Sequence, residues 1–564
     1  MNKTGIYKKV FKRILWVIIL IVLLTVLIPV TVGIYYFNKA DFKCPSDSVY
    51  TEKYHVKSVG DSIKYIEHDL LHRNKYGLWE VYISGSPLER GTKYGVLTKD
   101  LLQYQENVFV EQIKEFIPSD FYLNFLHKLI AVFNWNMASY VPEEYRKEIY
   151  AISQSCSHEF DSFGTPYERQ INYHAAHDIG HAMQEYMLVG CSSFAVWNEN
   201  TSDSTLLIGR NFDFYVNDKF ARNKIILFME PEKGYKFVSV SWPGMMGVVS
   251  GMNEKGLTIT INAAKGAIPV TSAMPISLLV REILQNASTI HEAYQIAQEH
   301  KTFVSESMLI GSAIDRSAAI IEKSPSKISL YRENDNDIIC TNHFQSKEFM
   351  IDSYNIDNIN NTDSKYRYDR LSELIKESIP LSPDKAVTIL RDRKGINNKD
   401  IGLTNQKSIN QSIAHHSVIF KPEELKIWVS TEPWQSGTFL CYDLKEVFEN
   451  PNKLVERNDK QLTIPADTLF LENYYHDILE YRKQFKEIRE SISGGLVIPV
   501  QEIHRFIELN PNYYEVYDII GDYYKEMKNI EKAVEYWKKS LDYEIPSTYE
   551  LEKIRNKIKD YDKE

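Results

Sequence analysis

The sequence predicts an α+β protein: two antiparallel sheets with helices packed outside them, preceded by one transmembrane helix and followed by a small all-α tail. Three observations predict it. From Cys191 onward, short β-rich runs alternate with turn residues, give way to two helical stretches, and resume. Strands, then helices, then strands is the order of sheets whose helices are segregated to the outside. Residues 14–37 form an uncharged apolar run, and residues 496–564 carry helical spacing with few strand signals.

Taken in order, residues 1–13 are a basic N-terminus containing Lys3, Lys8, Lys9, Lys12 and Arg13. The run 14–37, ILWVIILIVLLTVLIPVTVGIYYF, is 24 residues long. As a helix it reaches about 36 Å, enough to span a ~30 Å hydrocarbon core with some tilt. Trp16, Tyr35 and Tyr36 sit where interfacial aromatics belong. The run is too long for a signal peptide's apolar region, and no small-residue cleavage pattern follows it. The basic flank places the N-terminus in the cytoplasm and the rest of the chain outside. Residues 38–77 read as a stalk. A first strand is expected from Trp79 to Ile83. Ser84-Gly-Ser-Pro-Leu-Glu-Arg-Gly then has helix-start chemistry, with Pro87 near the first turn and an amphipathic run to Phe116. Residues 78–190 are mainly helical, residues 191–445 carry the sheets, residues 446–495 read as a linker, and residues 496–564 form the helical tail. In that tail Tyr517, Ile520, Gly521, Tyr524, Ala533, Trp537, Ser540 and Pro546 fit the spacing of a tetratricopeptide helix pair. A single repeat cannot form a solenoid, so it is expected to dock on the main domain or on the helix before it.

The composition narrows the function. Residues 1–43 carry seven Lys or Arg and one Asp, while the remaining 521 residues have a net charge of −16. An acidic outer part is not a nucleic-acid binder. Five cysteines, Cys44, Cys156, Cys191, Cys340 and Cys441, are too few and too scattered for a disulfide scaffold, and no Cys-x-x-Cys pair exists.

The candidate chemistry begins at Gly190-Cys191-Ser192-Ser193-Phe194. A cysteine at the start of an apolar strand is commonly a small buried hydrophobe. Here Gly190 leaves the preceding carbonyl sterically open, and Cys191 stands at the tip of the first strand of the β-rich half. Arg210 and Asp213, in Gly-Arg-Asn-Phe-Asp-Phe, follow after one strand and one turn and so return beside it. A cation next to a thiol favours thiolate, and a carboxylate can orient an amine. Asn262 and Asn342 each end a β run, where a side-chain N–H can serve an oxyanion hole.

In that order Gly-Cys-Ser-Ser-Phe, Gly-Arg-Asn-Phe-Asp-Phe, Gly-Met-Asn-Glu-Lys-Gly-Leu-Thr and Thr-Asn-His-Phe resemble motifs of the acyl-coenzyme A:6-aminopenicillanic acid acyltransferase family of N-terminal-nucleophile hydrolases. More distantly they are similar to choloylglycine hydrolases and acid ceramidase. The resemblance covers roughly residues 78–445. It implies a four-layer αββα sandwich and a chain that breaks itself at Gly190–Cys191. The sulfur of Cys191 is then the nucleophile and its freed α-amine the base. An α-amine titrates near pH 8, so it can take and return the thiol proton. The resemblance further implies that Arg210 holds the nucleophile electrostatically and that Asp213 bonds the α-amine. Asn342 is implied as the main oxyanion-hole residue, with Asn262 supporting it. Arg367, in Ser364-Lys-Tyr-Arg, is a candidate substrate contact.

The function expected is a membrane-anchored, extracytoplasmic amidohydrolase or N-acyltransferase. It would act on a small-molecule amide or acyl donor through a Cys191 thioester, without a cofactor or metal. One alternative is an inactive sandwich that serves as a membrane-tethered binding or assembly module, recruiting a protein partner through its tail. Another is a zinc site at His177 and His181, spaced i, i+4. Asp178 stands where the metalloprotease motif has Glu, and the sequence offers no third ligand nearby.

Overall fold

The computed structural model describes residues 16, 27–39, 45, 54–116, 119–182, 188–215, 217–269, 271–333, 335–456 and 462–561. Its centre is a pair of stacked sheets. Among the described residues the larger sheet has eleven strands, in the order Lys57–Val59, Ile63–Ile66, Asp69–Arg73, Trp79–Gly85, Ile225–Pro231, Phe237–Ser241, Ser250–Asn253, Leu257–Ala263, Glu306–Ser312, Ser317–Lys323 and Ile328–Tyr331. The smaller runs Asp337–Cys340, Ser192–Asn198, Ser204–Tyr215, Ala414–Lys421, Lys426–Ser430 and Phe439–Asp443, with Leu188–Val189 added beside Ser204–Tyr215.

The layering follows from period-2 alternation. In Ser192–Asn198, Ala195 and Trp197 join the core between the sheets, whereas Phe194 and Val196 face the outer helices. Leu206 and Ile208 face inward and Leu207 outward, and Val418 and Phe420 inward and Ile419 outward. Strands apolar on both faces are buried on both faces. One covering layer, over the large sheet, contains helices Pro87–Leu97, Lys99–Phe116, Glu143–Ser153, Ile276–Asn286 and Ile290–Glu299. The other, over the small sheet, contains Ser364–Ser378 and Pro383–Leu390. The described residues thus stack as helix, sheet, sheet, helix.

Three expectations are corrected. Part of the expected stalk, residues 57–73, forms three short strands of the large sheet. Turns at Gly60-Asp61 and Glu67-His68 divide it into pieces too short to show a period. The large sheet is not wholly antiparallel, because Trp79–Gly85 pairs parallel with Ile225–Pro231. The intervening helices and small-sheet strands form the long crossover that a parallel pair needs. The expected linker 446–495 contains helix Tyr475–Gly494, whose Ile478, Tyr481 and Ile488 are buried. Half of the apolar run 14–37, residues 14, 15 and 17–26, lies outside the described residues. Its end falls in helix Ile28–Lys39, where Tyr36 packs on Trp135 with ring centroids 5.0 Å apart. No helix among the described residues is long and apolar enough to cross a membrane.

The helix start at Ser86 is as its chemistry dictates: Glu89 accepts from the Ser86 backbone N–H at 2.7 Å, and Pro87 opens the first turn. Arg90 of the same motif is fully buried and ties this helix to helix Glu143–Ser153, donating to the Gly85 carbonyl and to Glu144 and Glu148. The tail consists of helices Tyr475–Gly494, Val500–Leu509, Tyr514–Glu526, Ile530–Ser540 and Thr548–Tyr561 around buried Trp537. The indole of Trp537 fills the space a side chain at Gly521 would occupy, which accounts for that residue. The tail docks on the chain's own segment 399–412. Asn510 bonds both backbone groups of Leu403 at 2.8 Å, Glu544 pairs with Lys399 and Lys407, and Arg482 donates to the Ser412 carbonyl at 2.7 Å.

Candidate active site

The antiparallel register between Ser192–Asn198 and Ser204–Tyr215 places Ser193 opposite Arg210. Cys191 is two residues before Ser193 and therefore shares the face Arg210 points to. The guanidinium Nη2 of Arg210 donates to Cys191 Sγ at 3.8 Å, and Sγ in turn donates to the Asp213 carbonyl at 3.9 Å. Arg210 is fully buried. It is held by the Ser250 hydroxyl and the Ile261 carbonyl, and its guanidinium lies 4.3 Å from the Phe212 ring centroid. Behind it Ser250 shares a hydrogen bond with His416 Nε2 at 2.8 Å.

Burial pushes the Cys191 thiol up to about 11, with the Arg210 charge opposing the rise. The thiol of the intact chain is therefore neutral near pH 7. Asp213 is also fully buried, and neither carboxylate oxygen has a hydrogen-bond partner among the described residues. Burial raises it from 3.8 to about 7, against the pull of the Arg367 and Arg210 charges.

The two asparagines lie close by. Asn262 Nδ2 donates to the Cys340 carbonyl at 2.9 Å and its Oδ1 accepts from Ser193 at 3.2 Å. Asn342 Nδ2 donates to the Ala263 carbonyl at 2.8 Å. Its Oδ1 accepts from Arg367 Nη2 at 2.8 Å, which fixes the amide's orientation. Each Nδ2 carries two N–H groups, so one on each remains after these bonds.

Arg367, expected from the sequence only as a candidate substrate contact, contacts the chain's own site residues. It is fully buried and links the whole site: Nη1 donates to the Cys191 carbonyl at 2.7 Å and to Ser192 Oγ at 3.0 Å, while Nε reaches Asp363 at 3.2 Å. Ser364, one turn before Arg367 on the same helix, accepts through its Oγ from the Asn342 backbone N–H at 2.8 Å. Gln411 was not anticipated at all; its Nε2 donates to the Gly190 carbonyl at 3.2 Å. His177 and His181 fall in helix Pro166–Ala182, but their side chains lie outside the described residues. Asp178 between them is buried and accepts from the Ile276 backbone N–H at 2.8 Å, at the start of helix Ile276–Asn286. That is a helix-capping role. Among the described residues, no group of His, Cys, Asp and Glu is arranged to hold a metal ion.

A buried cysteine thus stands before a strand of the small sheet, with an arginine and a carboxylate beside it, inside an α+β fold of two stacked sheets covered by helices. The family resemblance read from the motifs holds: residues 197–433 match the model of the acyl-coenzyme A:6-aminopenicillanic acid acyl-transferase family. The chain is similar to an uncharacterised protein of Archaeoglobus fulgidus, 25% identical over 399 residues, covering 64% of this chain and 65% of the relative. It is similar to protein dcd1B of Dictyostelium discoideum, 24% identical over 44% of this chain and 51% of the relative. It is also similar to the N-acylethanolamine-hydrolyzing acid amidase of Caenorhabditis elegans, 21% identical over 43% of this chain and 66% of the relative. The chain thus spans between half and two thirds of the length of these relatives. Among solved structures, the Caenorhabditis elegans amidase ortholog matches 41% of this chain and 93% of its own, at 15% identity and a TM-score of 0.31. A conjugated bile acid hydrolase mutant from Clostridium perfringens matches 45% and 93%, at 12% identity and a TM-score of 0.31.

Proposed function

We propose that this chain is an amidohydrolase or N-acyltransferase acting on linear or non-peptide amide bonds through a thioester at Cys191, and that it generates its nucleophile by breaking Gly190–Cys191. The observation that carries the reading is Asp213. A carboxylate buried without a hydrogen-bond partner among the described residues is costly. The cost has a purpose if a cation is to form beside it, and cleavage before Cys191 makes one, an α-ammonium that titrates near pH 8. Asp213 then orients the amine that takes the thiol proton and later returns it to the leaving group. Arg210 steadies the developing thiolate. Asn342, oriented by Arg367, offers its remaining N–H to the oxyanion, with Asn262 in support. In hydrolysis water resolves the thioester; in acyl transfer an amine does.

We further propose a single-pass anchor at residues 14–37 with the catalytic domain outside the cytoplasmic face. The basic residues before the run support this orientation. Protease added to intact cells should degrade the domain, and protection until the membrane is opened would reverse the assignment.

The catalytic proposal is tested with a panel of N-acyl amides, assayed with and without an added amine acceptor. Wild type should turn over at least one member and carry an acyl mass on the fragment beginning at Cys191, and Cys191→Ala should do neither. Turnover retained in Cys191→Ala would dismiss the thioester.

A further inference from the structure

Gly190, the residue whose carbonyl would be attacked, is gripped at both ends. Its N–H donates to the Asp213 carbonyl at 3.2 Å, and its carbonyl accepts from Gln411 Nε2 at 3.2 Å. Gln411 is 1% exposed, so this amide faces the peptide and not solvent. A Cβ added at Gly190 would sit 2.5 Å from Gln411 Nε2 and 3.0 Å from Oε1. The absent side chain at 190 is what lets the amide lie against the scissile peptide. None of the roles assigned to Cys191, Arg210, Asp213, Asn262, Asn342 or Arg367 employs this donor.

The segment bearing Gln411 is fixed on both sides. The Asn410 backbone N–H donates to the Asp392 carbonyl at 2.7 Å, and the Ser412 backbone N–H to Asn410 Oδ1 at 2.9 Å. The Ser412 carbonyl is held by Arg482 of the tail. Ser412 has φ 55°, a left-handed backbone that a non-glycine residue keeps only when its surroundings enforce it. The donor is thus preorganised before any charge develops on the carbonyl oxygen.

We infer that Gln411 is the oxyanion donor for self-cleavage: its side-chain N–H binds the Gly190 oxygen as that oxygen becomes anionic. The inference rests on the self-cleavage reading above and assigns a residue to its first step. In that step Cys191 Sγ bonds to the Gly190 carbonyl carbon, and the carbonyl π pair moves to the oxygen, which Gln411 holds. The adduct collapses with rupture of the bond to the Cys191 nitrogen. The proton lost by the thiol ends on that nitrogen, leaving a free amine and a Gly190 thioester. Water hydrolyses the thioester to the Gly190 carboxylate and the Cys191 thiol.

A preorganised oxyanion donor is worth about 10²–10³-fold in rate. The test follows appearance of the two fragments over time in the full chain. It compares wild type, Cys191→Ala, Gln411→Met, which keeps the side chain's length without its donor, and Gln411→Glu, which turns a negative charge toward the oxyanion. Folding is checked by melting Cys191→Ala with and without each Gln411 substitution, and the rate is read from whichever Gln411 variant is folded. Cleavage slowed about 10²-fold in that variant, with precursor accumulating, is the expected result. Cleavage at the wild-type rate would overturn the role of Gln411 while leaving self-cleavage intact. A wild-type chain that never cleaves would instead overturn the reading on which it rests.

Discussion

Asp213 offers a test that needs no substrate. In the intact chain its carboxyl is raised from 3.8 to about 7 by burial. A raised carboxylate means that the native state holds its proton more tightly than the unfolded chain does. Stability contributed by the protonated form is complete below about pH 4 and is lost as pH climbs to about 7. At about 1.4 kcal/mol for each tenfold, the interval from 3.8 to about 7 sets a ceiling of about 4 kcal/mol. The perturbation is Asp213→Asn placed in the uncleaved Cys191→Ala background. Asparagine cannot ionise, so the double variant lacks this loss. Its amide brings a fixed cost of its own, about 1–3 kcal/mol if unsatisfied, which is the same at every pH. The assay is urea unfolding of both proteins at pH 5 and pH 8. Because the loss has already begun at pH 5, the stability difference should move toward the double variant by about 2–3 kcal/mol between these pH values. A difference that is the same at both would refute a buried, unpaired carboxylate at 213.

Other expectations follow from single contacts. Arg367→Ala should lower kcat/KM by about 10²-fold, because Asn342 loses the partner that orients its amide. Arg367→Lys should not restore it, since one ammonium cannot reproduce bonds to the Cys191 carbonyl, Asn342 and Asp363 together. Full activity in either variant would remove Arg367 from the site. Gly521→Ala drives a methyl into the Trp537 indole and should destabilise the tail by about 1–3 kcal/mol. Limited proteolysis should then cut within residues 475–561 faster than in wild type, and unchanged resistance would contradict the packing.

Much of the fold was legible because its strands are strongly β-branched and cleanly punctuated. Among the short β-rich runs after Cys191, SSFAVW, LTITINA and SAAIIEK fall in strands Ser192–Asn198, Leu257–Ala263 and Ser317–Lys323. What escaped had weak local signals. Residues 57–73 form strands of three to five residues, too short for a visible alternation. Helix Ser353–Asn361, SYNIDNINN, is rich in Asn and Asp, which favour turns, and forms because Asp352 caps it and Asn355 and Asn358 are buried. The parallel pairing of Trp79–Gly85 with Ile225–Pro231 joins segments some 140 residues apart, a separation no local pattern encodes.

The site divides the same way. Cys191, Arg210 and Asp213 were found because a strand and its hairpin partner converge within a short stretch of sequence. Arg367 and Gln411 reach the same peptide from 176 and 221 residues away, as their hydrogen bonds to Cys191 and Gly190 show. A long-range hydrogen bond from an unremarkable Arg or Gln leaves no mark in composition or spacing.

The account's central claim is that the working nucleophile is an N-terminal cysteine. The direct measurement is a denaturing gel of the active wild-type protein beside Cys191→Ala, with N-terminal sequencing of each band. The account predicts a fragment of 190 residues and, by difference from 564, one of 374 residues whose sequence begins Cys-Ser-Ser-Phe, and a single uncleaved band for Cys191→Ala. An active wild-type protein that runs as one intact 564-residue chain would contradict it.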